Sequence, residues 1–165
     1  MKSEVKTLLG AYESVRNLSK FYISNLDKEK VHVRYEINGV KLNSAYWLVA
    51  HLTWTEHYLI VQGIGNKDLN IPWLEEYGYG TNPDEIKTKP DFDEVLKLFD
   101  EVHSKAVEIL NSTTDEQLDE LNHIDLSFGD KADKRTLLTH VIRHEPMHIG
   151  QISWILKMGN PEKTP

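Results

Sequence analysis

An all-α fold, a four-helix bundle, is what this 165-residue sequence predicts. Three observations carry the prediction. Apolar residues recur at three- and four-residue steps in four separate stretches, helix-capping and helix-stopping residues fall at their ends, and no internal repeat divides the chain. The length suits one domain, residues 1–165, large enough to bury a core.

The first helix is read over Ser3 to Leu26. Val5, Leu8, Leu9, Tyr12, Val15, Leu18 and Tyr22 form one stripe with charged residues between them, and Ser3 is the expected N-cap. The stretch from Asp27 to Lys41 is a connection, with a small hairpin expected around Asn38-Gly39. A second helix starts at the cap Asn43 and runs to Gly63 or Gly65, where a left-handed glycine would stop it. Its apolar and aromatic richness makes it central. Prolines 72, 83 and 90 and interspersed glycines make 66–90 a long loop with room for one short turn. A third helix begins at Asp91, with Phe92, Val95, Leu96, Phe99, Val102, Ala106, Ile109 and Leu110 as its buried stripe and acids at its N-terminus. A helical turn is expected at Thr114 to Leu121. The fourth helix begins near Asp133 and stops at Gly159-Asn160-Pro161.

Composition removes several kinds of function. Hydrophobic residues make up 39% and charged residues 27% of the chain, and no apolar run approaches the roughly 18 residues of a membrane span. The N-terminal sequence MKSEVKTLLGAYES lacks the unbroken apolar core of a signal peptide, so cytoplasmic residence is expected. A net charge of −7 argues against a nucleic-acid partner, whose phosphates call for a basic surface. With no cysteine, disulfides, thiolate metal sites and a cysteine nucleophile are all excluded. Any metal must be held by His, Asp or Glu.

Histidine is where such a site is legible. In THVIRHEPMHIGQISWILKMG, His144 and His148 are four residues apart; at ~100° per residue they lie about 40° apart on one helix face. His140 and His144 have the same spacing, so spacing alone leaves open which pair would bind. An open metal site usually takes three protein ligands, so a third must come from another helix. His51, in the middle of helix two within AYWLVAHLTWTEHYLI, is the best placed. Glu56, about 140° around from His51, is expected to face solvent, as is Glu145, about 80° off the histidine face. Gln151 lies one turn past His148, about 20° from His144, where it could meet a substrate or cap a packing layer. Tyr58 and Thr55 share the His51 face and are expected near the mouth of the site. Pro146 predicts a bend beside the histidines, and Gly150 a close approach of a neighbouring helix. His57 sits on the opposite side of helix two, and His32, His103 and His123 have no partner at ligand spacing, so these four are left out.

The segments WLVAHLTWTEHY around His51 and HVIRHEPMHIGQI around His144, His148, Gly150 and Gln151 resemble the DinB superfamily, in helix order over nearly the whole chain. The resemblance implies a DinB-like bundle with a divalent metal ion, zinc or nickel, held by His51, His144 and His148. It selects the pair directly before the glycine-glutamine step over His140. It also implies a metal-dependent thiol S-transferase activity on a small-molecule substrate, with a low-molecular-weight thiol as cosubstrate, and a homodimer. A metal-dependent hydrolase, with Glu145 as base, is the second reading. A non-catalytic, stress-associated metal-binding bundle is the third. A fold does not select among reactions.

Overall fold

The computed structural model describes residues 3–124, 126 and 132–159. Four long helices dominate: α1 (Glu4–Ser24), α2 (Ala45–Glu56), α3 (Phe92–Ser112) and α4 (Lys134–Gly159). α3 and α4 each pack against both α1 and α2, so α1 and α2 face one another across the bundle. The only sheet among the described residues is a hairpin of β1 (Glu36–Ile37) and β2 (Val40–Lys41), paired antiparallel. Asn38 and Gly39 both take positive φ, 51° and 79°, as a two-residue hairpin turn requires.

Local chemistry explains the helix boundaries. Ser3 caps α1 by accepting from Lys6 N, and Asp115, from the turn after α3, reaches over to accept from Glu4 N and Val5 N, both at 2.9 Å. The free amides of the α1 N-terminus are thus tied to the far side of the sequence. α2 is capped by Ser44, which accepts from Trp47 N at 3.2 Å, one residue later than the expected Asn43. Asp133 Oδ1 accepts from Thr136 N at 2.7 Å and starts α4. α4 runs unbroken through Pro146 to Gly159; the rest of its expected stop signal, Asn160-Pro161, lies outside the described residues.

Helix two departs most from expectation. Beyond Glu56 the backbone widens into a π-helix over His57–Ile64, and the left-handed residue that ends it is Asn66, at φ 49°, rather than a glycine. Gly65 is right-handed, at φ −83°. The glycines serve close packing. A Cβ on Gly63 would stand 2.5 Å from Leu137 of α4, and one on Gly65 2.5 Å from Ile109 of α3. Gly150, by contrast, has open space around it, so the close helix approach expected there is absent.

Two apolar clusters form the core. One joins α1, the π-helical segment, α3 and the first half of α4; the other joins α2, Phe92, Val95 and Phe99 of α3, and Ile149, Ile152 and Ile155 of α4. Every residue of α2 except Trp54 is buried. The long loop, with a 3₁₀ turn at Pro72–Tyr77, packs over α2 and completes its cover. Among the described residues no helix is long and apolar enough to cross a membrane.

Candidate metal centre

His51 reaches the centre because it is the mid-helix residue of the most deeply buried helix, and only 4% of its surface is exposed. α4 delivers His144 and His148 from one turn of its face. One nitrogen from each of His51, His144 and His148 can be chosen so that all three lie within 4.8 Å of one another, a group that could hold a metal ion. The three rings sit with centroids 4.4–5.3 Å apart.

Hydrogen bonds decide which nitrogen is free in two of the three rings. His51 Nδ1 lies 2.7 Å from the carbonyl oxygen of Tyr77, which can only accept, so Nδ1 carries the proton and Nε2 keeps its lone pair. His148 Nδ1 meets Gln151 Oε1 at 2.7 Å with the same consequence. An imidazole that donates one N–H to a carbonyl and turns the other nitrogen inward is how proteins orient histidine toward a metal. His144 Nε2 stands 3.0 Å from His148 Nε2, and its Nδ1 is buried without a partner among the described residues. Two of three rings are therefore set for ligation, and the donor set fits a divalent ion of borderline softness.

Electrostatics keep the rings neutral. Burial lowers His51 to about 4, against the raising effect of the Tyr77 hydrogen bond. Burial, then the neighbouring His148, His51 and His140 rings and Arg143, lower His144 to about 3. His148 is lowered as well, mainly by burial. At neutral pH all three are unprotonated, the form that binds metal. Trp47 stacks on the His51 ring at 4.7 Å between centroids and Trp54 at 5.8 Å, while Tyr58 stacks on Trp54. This aromatic wall fixes the ring plane.

His140 lies next to His144, at 5.2 Å between centroids, and its Nδ1 accepts from Arg143 at 3.1 Å; it is outside the three-nitrogen group. Of the histidines left out, His57 accepts from Leu69 N at 3.1 Å and His32 packs at a tilt against the Tyr46 ring. His103 is different: its Nδ1 lies 2.8 Å from Glu56 Oε1.

That contact belongs to a buried polar cluster that overturns the expected exposure of both glutamates. Glu56 is 0% and Glu145 2% exposed. Arg16, from α1, donates through Nη2 to Glu56 Oε2 at 2.9 Å and to Glu145 Oε2 at 3.1 Å, while its face lies 3.7 Å over the Phe99 ring. Its Nε is 3.1 Å from Glu145 Oε1, close enough for ion pairing but not aligned for a hydrogen bond. Ser19 donates its hydroxyl to Glu145. Burial, with Glu145 and Asp100 nearby, raises Glu56 well above the usual carboxylate range, and burial beside Arg16 lowers His103 to about 3. One guanidinium thus bridges two buried carboxyl groups, and burial favours the neutral form of Glu56. The rotation angle of each glutamate was sound as geometry, but solvent is not what lies there: α1 covers that side of both helices.

The Tyr77 carbonyl leaves no side-chain signal in sequence. The cluster around Arg16 left one, a charged residue inside the apolar stripe of α1, between Tyr12 and Ser19.

The family described as DinB superfamily matches residues 11–152. Among solved structures, a DinB-like protein from Bacillus cereus shares the fold with a TM-score of 0.68 at 20% identity, covering 100% of this chain and 98% of that one. A conserved protein from Enterococcus faecalis does so with a TM-score of 0.63 at 14% identity, covering 95% and 97%. No curated protein matches the chain.

Proposed function

The chain belongs to the DinB superfamily, and from that premise we propose that it binds a divalent metal ion, zinc or nickel, through His51, His144 and His148, and acts as a thiol S-transferase. The observation that carries the reading is the convergence of three imidazoles, two with Nδ1 tied to a carbonyl and Nε2 turned inward. A bound divalent ion would supply Lewis acidity, shifting a thiol toward its thiolate at neutral pH. The chain's own residues supply the rest. Tyr77 and Gln151 orient the rings, and Trp47 and Trp54 hold the His51 plane. Among the described residues the group consists of three imidazoles, which leaves a position for a small-molecule ligand. A cysteine-free chain draws its thiol from a cosubstrate.

The hydrolytic reading loses its base. Glu145 is buried and held by Arg16 and Ser19, so it is committed to the bundle interior. The test has two steps. Elemental analysis of protein purified without a nickel column is expected to find close to one zinc or nickel per chain, and none in the His144→Ala variant. Metal-loaded protein is then assayed with monochlorobimane and bacillithiol, mycothiol or glutathione; a rate no greater than that of the His144→Ala variant with every thiol sinks the transferase assignment.

A further inference from the structure

A cavity of about 280 Å³ opens between α4, the start of α2 and the hairpin, and two residues that line it, Leu48 and Gln151, stand one helical turn from His51 and His148. Ile37, Leu42, Leu48, Trp154 and Ile155 form its apolar walls, and Gln151 is one of its two polar members. Gln151 is the residue whose Oε1 accepts from His148 Nδ1 at 2.7 Å. One imidazole ring and one hydrogen bond are therefore all that separate the inward-facing Nε2 of His148 from the cavity wall.

The floor of the cavity, Leu48 and Ile155, is buried, but its rim is uncovered. Trp154 is 62% and Ile37 47% exposed, and Val40, which pairs with Ile37 in the hairpin, is 63% exposed. A small protein gains nothing from leaving a tryptophan and an isoleucine at the rim of a concave surface in water, and such patches commonly mark binding sites. The cavity is close to the roughly 300 Å³ at the lower end of small-molecule sites, and it has their character: apolar walls with few polar groups. A protein partner would need an interface of about 1,000 Å² or more, far beyond a recess of this size, and would have no use for the Gln151 link to His148.

Resting on the metal-binding reading, we infer that this cavity is the subsite for the apolar tail, alkyl or aryl, of a ligand whose polar head is held at His51, His144 and His148. Gln151 stands at the junction, fixing His148 with its oxygen while its methylenes border the tail. The substrate class is then an amphipathic small molecule, with a metal-binding head and a hydrophobic body of a few carbons.

Alkyl hydroxamates test this, since the head binds divalent metals and the tail can be lengthened one carbon at a time. Zinc-loaded protein is titrated calorimetrically with acetohydroxamate through octanohydroxamate. The expected result is a gain of about threefold to fourfold in affinity per methylene over the first several carbons. Ile37→Asp and Trp154→Ser, both at exposed positions away from the metal ligands, should flatten the series while leaving acetohydroxamate affinity unchanged. Metal-stripped protein is titrated in parallel with 1-butanol through 1-octanol, read by tryptophan emission. There too the affinity is expected to climb with chain length, and Ile37→Asp to abolish the climb. If no hydroxamate distinguishes zinc-loaded from stripped protein but the alcohols keep their chain-length dependence, the metal reading falls and the subsite stands. Flat series in both forms of the wild-type protein overturn the subsite. So does a result in which Trp154→Ser halves the sedimentation mass without altering either series, which would make the patch a contact between two copies of the chain.

Discussion

Two of the three imidazoles of the cluster are held by what their outer nitrogen meets. His51 has a backbone carbonyl, His148 has the Gln151 side chain, and His144 has no partner among the described residues. Gln151 is the one tether that mutation can remove without touching the backbone. Gln151→Leu is expected to weaken metal binding by about tenfold to a hundredfold, while Gln151→Glu, which keeps an acceptor, retains most of the affinity. Competition with a chromophoric chelator measures both, and equal affinities for the two variants would refute an orienting role. The same burial sets a pH dependence for the metal-free protein. His51 titrates near 6.5 in the unfolded chain and at about 4 when folded, so between those values the unfolded state binds more protons. Stability therefore rises with pH through that window and is lost as pH falls from about 6.5 toward 4. His144, lowered to about 3, acts in the same sense, whereas the raised carboxyl of Glu56 acts in the opposite one. His51 alone is worth on the order of 2–3 kcal/mol across the window. Urea melts of the metal-free protein at pH 7 and pH 5 are expected to show the lower midpoint at pH 5. An unchanged or higher midpoint in the Glu56→Gln background, where the opposing carboxyl is gone, would mean that the histidines are not buried as neutral groups.

At the scale of elements, the sequence made four helices legible because each carries a long apolar stripe and a polar cap, and these signals are local. The hairpin turn at Asn38-Gly39 was legible for the same reason, since both residues tolerate positive φ. What was not legible depended on contacts between distant segments. Nothing local in HYLIVQGI distinguishes a π-helix from the end of an α-helix, and the glycines that read as stop signals are packing glycines. The juxtaposition of His51 with the α4 histidines could be anticipated only as a matching of helix faces. The carbonyl of Tyr77 was out of reach, because a backbone acceptor has no residue identity. The packing role of Gly63 leads to a sharp expectation. Its Cβ would come within 2.5 Å of the Leu137 side chain, which is 0% exposed and has little freedom to yield. Gly63→Ala should thus destabilise the protein by about 1–3 kcal/mol, although alanine is the better helix former. Combining it with Leu137→Ala, which vacates the contested space, should show coupling in a double-mutant cycle. Additive effects would show that the close approach is not what the glycine accommodates.

The whole molecule is organised around α2, with opposite faces given to different chemistry. One face carries His51 toward α4 and the aromatic wall, and another carries Glu56 toward Arg16 at the bundle centre, where α1, α2, α3 and α4 all contribute. α4 is divided in the same way: His144 and Glu145 are consecutive residues, the first serving the imidazole group and the second the ionic cluster. The ionic cluster thereby fixes the rotation of α4 about its own axis, because turning the helix to carry His144 away would pull Glu145 off Arg16 and Ser19. Apolar packing alone tolerates such rotation more readily, since one methyl group replaces another at similar energy. Removing the cation is expected to be costly, as Arg16→Met leaves two carboxyl groups buried without a counter-charge, and breaking a buried pair in this way typically costs about 3–5 kcal/mol. The triple variant Arg16→Met, Glu56→Gln, Glu145→Met removes every unpaired charge and should recover most of that stability in thermal melts. Metal affinity separates the two contributions. If the cluster sets the aim of α4, the triple variant will melt near the wild-type temperature yet bind zinc several-fold more weakly. Recovery of both stability and affinity would leave the cluster with no part in positioning the histidines.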